Sequence, residues 1–184
     1  MADADTEVTL DELHTAIRDG IAAQFDAFKT VEFYRDDEDE QIPTPACILE
    51  MSEAEPQPHA NCGTGQWPVL LRFAARIIMP KRTPAVRLEI RKAATALATF
   101  LNLRHWPNVN CDEAQVIACE PDEFAPNLDR FAVWRVEWVH LAFLGESAWI
   151  NLGGVVPTDA LYSFAPRIGI PYKDEYVPLD QVTP

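Results

Sequence analysis

"DRFAVWRVEWVHLAFLGESAW" (Asp129–Trp149) is the stretch whose alternation decides how the rest of the chain is read. As a strand over 131–143 it sets Ala132, Trp134, Val136, Trp138, His140 and Ala142 on one face. Phe131, Val133, Arg135, Glu137, Val139, Leu141 and Phe143 take the other. Neither side is properly polar, the mark of a strand covered on both faces. Helices can take one side. The other, with Arg135 and Glu137 among valines and aromatics, has to meet a C-terminal arm, another sheet or another subunit, unless the two charges pair inside one domain. The tryptophans read as core rather than as ligand-stacking residues.

Working outward, Thr9-Leu10-Asp11-Glu12 forms a capping box, and Leu10, Leu13, Ile17, Ile21 and Phe25 follow at helical spacing, predicting a first helix over 10–26. "KTVEFYR" (29–35) and "PACILEM" (45–51) predict two strands joined by the charged run Asp36, Asp37, Glu38, Asp39 and Glu40. Loop chemistry holds from Glu53 to Trp67, and "WPVLLRFAARIIMP" (67–80) predicts a long strand with Arg72 and Arg76 on its less apolar face. Thr83 before Pro84 predicts an N-cap and first helical position, and Val86, Ile90, Ala93, Ala94, Leu97 and Leu101 the apolar stripe of a second helix. A strand over 113–120 precedes the opening one. The order α-β-β-β-α-β-β predicts an α+β sandwich, a mixed or antiparallel sheet of four to five strands packed on two helices. That domain is expected over 1–144. Residues 145–184 combine prolines and glycines with Trp149, Phe164 and other aromatics, which predicts an extended arm packed on its own domain or on a neighbour.

The 184 residues carry a net charge of −14, unevenly distributed. Residues 1–60 hold 16 acids against three bases, residues 72–104 eight bases against Glu89 alone, and residues 105–184 twelve acids against four bases. Such a dipolar chain can steer one copy onto the next, or pair its charges internally. No apolar run reaches the length of a membrane span and the N-terminus is acidic, so a soluble product of the cytoplasm is expected. Cys47, Cys62, Cys111 and Cys119 lack the spacing of a zinc or redox pair and read as free thiols.

No motif of a nucleophile elbow, a phosphate loop, a zinc protease or a dinucleotide site is present. His59 and Cys62 alone do not make a metal site, and the acidic run lacks the alternation and the turn glycine of a calcium loop. The basic segment has acidic flanks and no interleaved aromatics, which favours a subunit contact or internal pairing over nucleic-acid binding. No cofactor, metal or catalytic residue is expected.

"VWRVEWVHLAFLGESAW", preceded by "EPDEFAPNLDR" and followed by "FAPRIGIPYKDEYVPL", resembles the tail terminator proteins of long-tailed bacteriophages, particularly those with Mu-like gene sets. The similarity extends to the first helix, "PTPACILE", the "GTGQW" entry to the long strand and the second helix. The resemblance implies a non-enzymatic virion protein of α/β fold, assembled as a ring, typically a hexamer, on the head-proximal end of the tail tube. It would stop tube polymerisation and dock to the head–tail connector. Its implied partners are itself, the tube protein and the head-completion protein, with DNA only passing through the lumen. On physical grounds Arg72, Arg76, Arg135, Glu137, Trp149 and Phe164 are the expected interface residues, and Asp36 to Glu40 an acidic loop facing the lumen, where it would repel phosphates. The alternatives are another tail- or head-completion ring, or a small enzyme or ligand-binding domain whose site is assembled from residues distant in sequence.

Overall fold

The structure, a computed structural model, describes residues 8–35, 42–122, 130–148, 161–163 and 165–178. Helix α1 (Leu10–Gln24) opens on the expected capping box: the Thr9 hydroxyl accepts from the Glu12 N–H at 3.3 Å, and the Glu12 carboxylate accepts from the Thr9 N–H at 3.2 Å. Leu13, Ile17 and Ile21 form its buried stripe, while Leu10, expected in that stripe, is exposed.

Strands β1 (Thr30–Phe33), β2 (Ala46–Pro56), β3 (Trp67–Pro80), β4 (Gln115–Pro121) and β5 (Phe131–Leu144) make a five-stranded sheet in the order β1-β2-β3-β5-β4. β1 runs parallel to β2 and every other pairing is antiparallel, so the fold is α+β with a mixed sheet. β3 and β5 pair without interruption from Trp67↔Leu144 to Pro80↔Phe131 and form the spine of the sheet. β2 runs past the expected end at Met51, because the chain absorbs one residue in a bulge at Ser52 and continues to Pro56.

Helix α2 (Val86–Leu101) starts later than its sequence suggests. The Val86 N–H donates to the Thr83 carbonyl at 3.2 Å, closing a turn over Pro84 and Ala85. Ala85, not Thr83, is the N-cap, at a left-handed φ of 52° that re-aims the chain into the helix. Ile90, Ala94, Leu97 and Leu101 are buried as the spacing predicts.

Both helices cover one side of the sheet. Their stripes close a single core with Cys47 and Leu49 of β2, Leu71, Phe73, Ala75 and Ile77 of β3, and Val136, Trp138 and Ala142 of β5. Phe73 and Trp138 stack at its centre, ring centroids 5.7 Å apart. Each such large side chain taken fully out of water contributes about 1.5–3 kcal/mol, so the spine and the helix stripes hold the domain together.

The chain divides into two compact units, Met1–Ile150 and Asn151–Pro184. Within the second, β6 (Leu161–Tyr162) pairs antiparallel with β7 (Val177–Pro178), and a 3-10 segment spans Ile170–Glu175. Arg167 pairs with Glu175 at 3.2 Å and the Gly169 N–H donates to the Tyr176 hydroxyl at 2.7 Å. The described part of this segment is thus folded on itself rather than extended throughout.

Candidate functional site: the helix-free face of the sheet

The face of the sheet turned away from the helices carries charge where a second layer would be apolar. Its central row, read across the register, is Ile48 or Glu50 on β2, Ala74 and Arg76 on β3, Arg135 and Glu137 on β5, and Ala118 and Glu120 on β4. The Arg76 guanidinium takes Glu50 in a two-pronged contact, Nη1 to Oε2 at 2.7 Å and Nη2 to Oε1 at 3.1 Å, and its Nε donates to Asp122 Oδ2 at 2.9 Å. Arg135 Nη2 donates to Glu120 at 2.7 Å, and its Nε lies 3.0 Å from Glu137. Arg72 joins the group through Glu53 at 3.3 Å and Glu137 at 3.7 Å.

Two bulges create this arrangement. In β2 the shift between Met51 and Glu53 brings Glu53 opposite Arg72 and keeps Ala54 on the core side. In β4 the shift between Val116 and Ala118 puts Glu120 opposite Arg135 while Cys119 stays against the core. Without these extra residues strict alternation would turn Glu53 and Glu120 toward the helices. The bulge in β4 also leaves Ile117 exposed on an edge strand and twists that edge away from regular pairing.

The charges stabilise one another in this half-dry setting. Burial acts to lower the Arg76 guanidinium, but Glu50 and then Asp122 outweigh it and leave it raised. The hydrogen bond to Glu120, followed by Glu137 and Asp122, raises Arg135 against a smaller opposing effect of burial. Asp122 is the most enclosed member, its side chain 5% exposed against 34% for Arg76.

Of the residues expected at an interface, Arg72, Arg76, Arg135 and Glu137 are brought together in this one network, each with a partner in its own chain. Trp149, Phe164 and the acidic run Asp36 to Glu40 lie outside the described residues. The sequence reading missed the acids Glu50, Glu53, Glu120 and Asp122. Glu50 and Glu53 sit in β2 opposite β3, Glu120 sits in β4 opposite Arg135 of β5 and Asp122 follows β4, and the two bulges scramble the alternation that would have revealed Glu53 and Glu120. The basic segment divides in two: Arg72 and Arg76 are paired on the sheet, whereas Arg87 and Arg91 are exposed on α2.

Near one end of this face lies a shallow depression of about 200 Å3, with Leu70, Val139 and Leu141 as its floor and Asp112, Glu113, Gln115 and Gln57 around it. On the edge beside α1 lies a wider groove of about 530 Å3, lined by His14, Thr15, Arg18, Glu32, Phe33 and Tyr34 among others. There His14 Nδ1 donates to the Leu10 carbonyl at 2.6 Å, so Nε2 accepts the Tyr34 hydroxyl, also at 2.6 Å.

His140, in contrast, is fully enclosed on the core side, donating from Nδ1 to the Asp112 carbonyl at 2.9 Å and accepting the Trp106 indole N–H at Nε2 at 3.0 Å. Burial holds its imidazole below the ordinary histidine range, against a smaller raising effect of Asp112. All four cysteines are free, and burial pushes the Cys47 thiol up to about 12 and that of Cys111 to about 11, which favours the protonated thiol at neutral pH in both. Among the described residues no group of three or more His, Cys, Asp or Glu is placed to hold a metal ion. No described helix is long and apolar enough to cross a membrane. No protein-family model matches the chain, and no curated protein matches it.

Proposed function

We propose that the chain is a structural virion protein of the tail terminator kind. It forms a ring, typically a hexamer, on the head-proximal end of a tail tube, ends tube polymerisation and docks to the head–tail connector. The observation that carries this reading is the helix-free sheet face: an ordered, charge-patterned surface held by paired residues on four strands, suited to specific recognition of another protein. The resemblance of the central strand and its flanks to phage tail terminators supplies the identity of the assembly.

The test is the solution mass of the purified chain over a range of protein and salt concentrations, followed by addition of purified tail tubes. A ring in solution, or one that forms on tube tips and stops their growth, is the expected result. A chain that stays monomeric and leaves tube growth unchanged would sink the proposal. A ligand-binding domain is the second reading, favoured by the His14–Tyr34 groove. It gains ground only if a small molecule shifts the resonances of His14 and Tyr34 while tubes are ignored.

A further inference from the structure

We propose that this chain binds a second copy of itself head to tail, Leu88 of α2 in one copy seating in the depression over Leu70, Val139 and Leu141 of the next. This deepens the ring reading by naming its contact, and it rests on that reading only for closure of the assembly.

The depression is apolar at its floor and acidic at its rim. Asp112 and Glu113 line it, and Glu55, exposed, lies opposite Leu70 in the sheet register. A knob that fits would be one aliphatic side chain in a collar of cations. α2 presents a knob close to that pattern: Leu88 is 54% exposed, with Arg87 beside it and Arg91 and Lys92 one turn on, Lys92 also pairing with Glu89 at 2.9 Å and Arg91 lying over the Trp134 ring at 5.0 Å. Arg87 has no ion pair among the described residues, so its charge is available to a partner.

Geometry sets the symmetry. The buried stripe of α2 faces the sheet, so Leu88 looks away from it, whereas the depression opens on the side of the sheet opposite α1 and α2. Knob and depression therefore lie on opposite sides of one subunit and cannot meet in a two-fold dimer. A contact of this heterologous kind repeats from copy to copy, and it either closes into a ring or grows as a filament.

The experiment uses the full chain and two reversed variants, Arg87→Glu/Lys92→Glu on the knob side and Asp112→Lys/Glu113→Lys on the depression side, with Leu88→Ser as a neutral third. All five positions are surface side chains, and circular dichroism checks that each variant is folded. Light scattering at low salt is expected to give a mass above the monomer for the wild type, falling as salt is added. Each variant should weaken self-association by on the order of tenfold or more. Mixing the two reversed variants should restore assembly, because acidic knob then meets basic depression. Wild-type oligomers indifferent to all three variants would overturn the contact and leave the ring reading standing. Salt-sensitive growth without limit, lost in the variants, would support the contact and count against a closed ring. A wild type that is monomeric at every concentration, alone and with tail tubes, would overturn both.

Discussion

A glycine inside a helix is ordinarily a weakness, about 1 kcal/mol worse than alanine. Gly20 of α1 is there because Trp106 is: a Cβ on it would stand 2.5 Å from Trp106 Cζ3. Gly20→Ala is therefore expected to destabilise the protein despite its better helix propensity, by about 1–3 kcal/mol in urea unfolding. A gain in stability would show that the indole can move aside. Trp106 is fixed in turn by His140, and that bond makes the pair sensitive to pH. The unfolded imidazole takes up a proton near pH 6.5, whereas the folded one, held lower chiefly by burial, resists it. In that window the unfolded chain binds more protons, so the stability His140 contributes is complete above about pH 6.5 and is lost as pH falls toward the folded value. His140→Gln should be less stable at neutral pH, yet its urea midpoint should fall less than that of the wild type between about pH 7.5 and about pH 5.5. Parallel profiles for the two proteins would remove His140 as the cause.

At the scale of elements, the helix-free face shows what a side-chain alternation does and does not reveal. β5 was legible because its alternation is unbroken from Phe131 to Leu144, and so were the capping box of α1 and the stripe of α2. β2 and β4 were legible as strands, but the faces of their acids were not, since one extra residue reverses every side chain beyond it. The start of α2 was hidden for a related reason: a left-handed Ala85 has no sequence signature, glycine and asparagine being the usual occupants. The network those bulges assemble should be stabilising as a unit. Arg76→Met removes the partner that Glu50 and the enclosed Asp122 share, and is expected to cost about 1–3 kcal/mol, most of it from the carboxylates left behind. The double variant Arg76→Met/Glu50→Gln should cost less than the two single changes added together, with the coupling read from a double-mutant cycle. Additive effects would mean that the pair stands side by side without interacting.

For the whole molecule, the uneven charge was legible in composition, and its resolution was not. Arg72 and Arg76 are neutralised on the sheet by Glu50, Glu53, Asp122 and Glu137, whereas Arg87 and Arg91 stay exposed on α2. Which bases fall in which class depends on the strand register, a long-range property. The last segment was legible only as non-tail-like, since its aromatic content argued for order without giving a partner. Its division from the domain leads to the final prediction. Every described residue of the buried core cluster lies between Val8 and Ala142, and the hydrophobics packed against it extend only to Leu144. A chain ending at Ile150 should therefore fold cooperatively, with a thermal midpoint within about 4 °C of the full-length protein, equivalent to less than about 1–2 kcal/mol. It keeps the Leu88 knob and the depression, so its salt-dependent self-association should also persist. If the shortened chain folds but no longer associates, residues 151–184 carry the subunit contact. If instead its midpoint falls by about 10 °C or more, the domain draws on that segment for its own stability.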